Sequence, residues 1–130
     1  MSALIETLKH IEKHPGMYFG DAQRARSIQV IYAFVLGFET AQHGTDSRSD
    51  FDCFTEWVGT RYHVLADGMG GFDLILAHVG GDQSKAFDEF FRLLSDYVSD
   101  RQTIGRDAII SRFCDVQDEC LEEFRNEIRK

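Results

Sequence analysis

Apolar positions recur along the chain at spacings of three and four residues. Leu4, Ile5, Leu8 and Ile11 mark a first helix from Ser2 to about Lys13, which Pro15-Gly16 ends. Ile28, Ile31, Tyr32, Val35 and Phe38 line a second helix from about Ser27 to Gln42, with Ser27 at its start and Gly44 closing it. The stretch Gly44–Asp50 is polar and reads as a loop. Phe51, Phe54, Trp57 and Val58 form the stripe of a third helix that Ser49 or Asp50 caps and that runs to about Tyr62. Asp52 stands three residues after Ser49, as in a capping box.

Asp67-Gly68-Met69-Gly70-Gly71 is a flexible turn. The run Phe72–Val79 is too short for its period to decide between helix and strand, and a short helix is the favoured assignment. After Gly80-Gly81, Asp82 or Ser84 opens a fifth helix carrying Phe87, Phe90, Phe91, Leu94, Tyr97 and Val98. A last segment, from about Thr103 to Arg129, carries Ile109, Phe113, Val116, Cys120 and Phe124 on one stripe. The fold class predicted is all-α: a compact single-domain bundle of five to six helices over residues 1–130, with no hairpin or repeat.

The chain has 130 residues, 43% of them hydrophobic and 28% charged, which excludes wholesale disorder. Eleven Phe supply bulk for a core without staples. No apolar run approaches the ~20 residues of a membrane span, and the first residues lack the pattern of a signal peptide. With Cys53, Cys114 and Cys120 odd in number and each placed in an apolar pattern, the expectation is small buried hydrophobes in a reducing compartment, the cytoplasm. Twenty-two acids against fourteen Lys and Arg give a net charge of −8, which repels phosphate backbones and favours basic partners.

Candidate chemistry is sparse. Pro15-Gly16-Met17-Tyr18-Phe19-Gly20 resembles a string near the start of the gyrase-type ATPases, and Asp67–Gly71 resembles their Asp-x-Gly-x-Gly. That site needs an Asn on a helix to hold magnesium, and Asn126 is the one Asn here. It also needs an acid two residues before the first glycine, where this chain has Ala66. His10 and His14 have the i, i+4 spacing of metal ligands, but no further cluster completes a set, and His14 suits the negative end of a helix. His43, His63 and His78 neighbour no nucleophile signature. The expectation is no catalysis, no metal and no cofactor.

The last helix carries more. At about 100° per residue, Asp115, Asp118, Glu119 and Glu122 gather opposite the apolar stripe, while Glu123 and Glu127 flank it. Asp115–Glu127 holds six acids and one base, Arg125. Two readings stand beside each other: a docking surface for a cationic partner, or a solvated face kept acidic for solubility.

Laid end to end, several blocks resemble a group of small bacterial immunity-type proteins. They are Pro15–Gly20, Gly37-Phe38, Phe51–Val58 with Arg61-Tyr62, Phe72–Leu76 and Ala86–Leu94. The likeness spans about residues 4–98 and departs at His14, where Arg is expected, and at Phe72, where Trp is expected. The resemblance implies an antidote, of the kind known from contact-dependent growth inhibition, that binds a cognate toxin in the cytoplasm and occludes its active site. Toxin contacts are then expected on the polar surface outside the shared region, at Asp115, Asp118, Glu119 and Glu122, against a basic cleft such as that of a nuclease. A regulatory or scaffolding module, homodimeric and without a toxin partner, is the alternative; the oligomeric state stays open.

Overall fold

The structure, a computed structural model, describes residues 2–42 and 49–129. Eight helices and no strand occur among them. The all-α expectation holds, while the count of five to six helices is corrected. The two additions lie where the sequence shows only a break. Pro15 ends one helix and also begins another, because its fixed φ and missing N–H suit a first helical position. Helix α1 covers Ala3–Lys13, α2 Pro15–Phe19, α3 Ala22–Ala25 and α4 Ile28–Ala41. Then follow α5 Phe54–Tyr62, α6 Gly71–His78, α7 Gln83–Thr103 and α8 Arg106–Arg129.

The first two helices form a corner. Ser2 caps α1 by accepting from the Ile5 N–H. Gly20, at φ 87°, ends α2 in a conformation that strains any residue with a Cβ. Tyr18 turns back so that its hydroxyl shares a 2.7 Å hydrogen bond with His10 Nδ1, and Phe19 meets Phe34 of α4 edge-on. Met17 points away from this corner and is 75% exposed.

Helix α5 starts later than the sequence suggests. Residues 50–53 form turns, and Asp52 caps no helix. Ser49 Oγ accepts from the Phe51 N–H and donates to Glu39, while the Asp52 carboxylate is drawn to Arg101 and Arg106, each at 3.0 Å. Tertiary charge pairing outcompetes the local cap. Phe72–His78 is helical with Val79 at the C-cap, and Asp82 caps α7 by accepting from the Lys85 N–H. Thr103 belongs to α7; Gly105, at φ 86°, separates it from α8. The expected stop at Gly44 and most of the Gly44–Asp50 loop lie outside the described residues.

At about 1.5 Å per residue α7 is roughly 30 Å long and spans the body. Its Phe87, Phe90, Phe91, Leu94 and Tyr97 enter a single contiguous core with α1, α4, α5 and α6. Phe51, Phe54, Phe72, Phe90 and Tyr97 meet ring to ring within it, at centroid separations of 5.0–6.2 Å. Buried Trp57 donates its Nε1–H to Asp100 at 2.8 Å, satisfying its one polar atom. Cys53 and Cys120 are buried as expected, but Cys114 is exposed: it stands off the stripe through Ile109 and Cys120.

Candidate partner-binding surface

Helix α8 consists of a docked half and a free half. In the docked half Ile109 is buried and Phe113 packs over Gly59 of α5, where an added Cβ would lie 2.8 Å from the ring. Gln117 then locks the helix to the segment after α5. Its Nε2 donates to the Val64 carbonyl and its Oε1 accepts from the Ala66 N–H, both at 2.9 Å. Cys120 is the last buried residue.

Beyond Cys120 every described position of the helix is exposed. Leu121, Phe124 and Ile128, 37%, 55% and 68% exposed, continue the apolar stripe past the edge of the body. Phe124, which the periodicity places on a core stripe, is therefore corrected to a surface residue. The period describes the helix, but no element of the described structure reaches far enough to cover its end. Glu123 and Glu127 border this stripe on one side and Arg125 on the other, at about 100° per residue.

The four acids expected to bind a partner are all exposed, and they differ in their surroundings. Glu119 Oε2 lies 3.8 Å from His63 Nδ1, and Glu122 Oε2 lies 3.7 Å from Arg125 Nη1. Asp115 and Asp118 have no cation within ion-pair distance among the described residues. Asp115, Asp118 and Glu119 thus stand on the solvent side of the docked half, Glu122 on the back of the free half and Glu123 and Glu127 on its flank, while its apolar edge is Leu121, Phe124 and Ile128. Sequence reasoning missed Leu121 and Ile128. Their signal was the three- and four-residue spacing from Phe124 in a run where acids outnumber bases six to one.

His10 lies against His14, ring centroids 5.1 Å apart, and engages Tyr18, so the pair expected from spacing is a surface aromatic contact. Tyr62, Glu89 and Arg92 form a tight surface group. The Tyr62 hydroxyl donates to Glu89 Oε1 at 2.8 Å, and Arg92 donates to both Glu89 oxygens at 2.9 and 2.6 Å. The Arg92 hydrogen bonds hold the Glu89 carboxyl below its usual range, and burial pushes the Tyr62 phenol up. A groove of about 370 Å³ beside α4 and α6 is lined by Tyr32, Leu36, Glu39, Phe72 and Asp73, and Ser49 on its rim is tied to Glu39 at 2.6 Å.

One three-residue constellation with metal-binding donors stands out among the described residues: His63, Cys120 and Glu123. His63 caps the C-terminus of α5 in the left-handed conformation, φ 50° and ψ 56°. Its Nε2 lies 3.2 Å from Glu123 Oε1. Burial pushes the Cys120 thiol up, and Glu123 and Glu119 add to the effect. No described helix is long and apolar enough to cross a membrane.

No protein-family model, curated protein or solved structure matches the chain.

Proposed function

We propose that this chain is a binding protein of the immunity type, which neutralises a basic bacterial toxin in the cytoplasm by covering its active site and catalyses nothing itself. The observation that carries the reading is the free half of α8: three apolar side chains in helical register, outside the core, edged by carboxylates. An amphipathic helix of this kind lays its apolar face in a hydrophobic groove, read at i, i+3 and i+7. Burying Leu121, Phe124 and Ile128 contributes on the order of 1–2 kcal/mol each, given how much of each is exposed. The acids act at longer range, speeding encounter with a cationic cleft and fixing orientation. A cleft that binds an anionic substrate, as a nuclease's does, offers the complementary charge.

The alternative, a regulatory or scaffolding module pairing with its own copy, puts the same stripe to a different use. Charge weighs against it. An antiparallel symmetric pair brings Glu123 and Glu127 of one chain against those of the other, and a parallel one sets two carboxylates against the single cation Arg125, so neither neutralises the flank.

The test is co-expression with the product of the gene immediately upstream, scored by growth rescue and co-purification. Asp118, Glu119 and Glu122 are then reversed together to Lys. The reading expects rescue by the parent chain, and weaker binding with a smaller salt dependence for the triple variant. Absence of rescue and of any complex removes the toxin partner. Unchanged binding by the triple variant removes this face of α8 from the interface.

A further inference from the structure

We propose that His63, Cys120 and Glu123 form a site for a zinc-class divalent metal, clamping the end of α5 to the last docked turn of α8. One donor atom from each of the three lies within 4.8 Å of the others. Zinc–ligand bonds of about 2.0–2.3 Å set tetrahedral edges of roughly 3.3–3.6 Å. The edge from His63 Nε2 to Glu123 Oε1 is 3.2 Å, so two donors are already spaced for a common ion. Cys120 and Glu123 stand one turn apart on α8 and face the same way, so closing the third edge takes side-chain rotation and no movement of the helix.

The outer surroundings fit as well. A metal-bound imidazole nearly always donates its other N–H to a carboxylate, which fixes its tautomer. Glu119 Oε2 stands 3.8 Å from His63 Nδ1, the ring nitrogen that Glu123 does not engage. With Nε2 given to the metal, Nδ1–H has its acceptor within a small adjustment. The donor set of one sulfur, one nitrogen and one oxygen selects zinc or cobalt over magnesium and calcium, which take oxygen alone. On binding, the thiol releases its proton to water and a metal–sulfur bond forms. Thiolate and carboxylate then balance the dication, and the fourth position is left to water or an outside donor.

Such a clamp would sit where α8 leaves the body, so a bound ion would hold the free half at a fixed angle. This inference is independent of the partner's identity.

The probe is Co2+ added to the purified, chelator-treated chain, followed by Zn2+ competition and by thermal unfolding with and without Zn2+. A single equivalent is expected to bind with a thiolate-to-cobalt charge-transfer band, to be displaced by Zn2+, and to raise Tm. Cys120→Ser removes the band, and His63→Asn, which tolerates the left-handed backbone, weakens binding at least tenfold. Glu119→Gln loses about 10- to 100-fold in affinity with the band retained. Cys114→Ser changes nothing. Absence of the band in the parent chain, its survival in Cys120→Ser, or an unchanged affinity in His63→Asn overturns the proposal. The exposed His63 keeps the test sound even if the Cys120 variant folds poorly.

Discussion

Gly59 is where α5 admits α8, and filling it measures how firmly the docked half is held. A Cβ at Gly59 would lie 2.8 Å from Phe113 Cε1 and 3.2 Å from Cδ1, closer than carbon atoms pack. Gly59→Val places three carbons there. Helix propensity works in the variant's favour, since valine recovers roughly 0.4 of the ~1 kcal/mol that glycine concedes to alanine. Overpacking opposes it at about 1–3 kcal/mol. Phe113 is half-buried against the core, so its ring relieves the clash only by swinging out and losing that contact. The clash wins, for a net loss of about 2 kcal/mol, or roughly 6–10 °C in Tm for a chain of this size.

The assay is urea and thermal unfolding followed by far-UV circular dichroism, on Gly59→Val, Phe113→Ala and the double variant. Phe113→Ala alone is expected to cost about 2–3 kcal/mol, at or below the low end for phenylalanine because the ring is not fully buried. In the Gly59→Val background it is expected to cost at least 1 kcal/mol less, because the clashing ring is gone. Additive effects within about 0.5 kcal/mol, or a Gly59→Val variant as stable as the parent, would refute this packing of α8 on α5.

Glu89→Gln tests the Tyr62–Glu89–Arg92 group by linkage. A carboxyl held below its usual range stabilises the fold above the unfolded value, and that stability is lost as pH falls through the folded value. The variant is expected to be about 1–2 kcal/mol less stable at neutral pH, with the gap closing below about pH 4, read from urea midpoints across pH. Tyr97→Phe removes the hydroxyl that donates to the Asp50 carbonyl at 2.5 Å, tying α7 to the turn before α5. It is expected to cost about 1 kcal/mol in the same assay, and no loss would mean that this bond contributes nothing net.

The sequence made much of this fold legible, for a physical reason. Helices α1, α4 and α7 bury a stripe along one side, and α8 does so along its docked half, so their apolar spacing reports them directly. Helices α2 and α3, of five and four residues, are too short for any period to register. The start of α5 was misplaced because Ser49 and Asp52 have the residue types of a cap, whereas the actual partners of Asp52, Arg101 and Arg106, come from distant parts of the chain. The same limit explains the site. The acids of α8 were visible as composition, and their exposure follows from their place opposite the stripe. Whether Phe124 would be covered depended on where the rest of the body ends, which no local pattern encodes. His63 stands beside Glu123 although 60 positions separate them, so only the Cys120–Glu123 spacing could have hinted at that cluster.

The central claim, that the free half of α8 is the binding edge, rests most directly on one titration. The purified chain and its Leu121→Ser/Phe124→Ser/Ile128→Ser variant are each titrated calorimetrically into the product of the adjacent upstream gene. Because all three side chains lie outside the core, the variant is expected to keep the parent's Tm while losing at least about 100-fold in affinity, close to 2.7 kcal/mol. A variant that binds within about threefold of the parent, a difference below 1 kcal/mol, would contradict the claim.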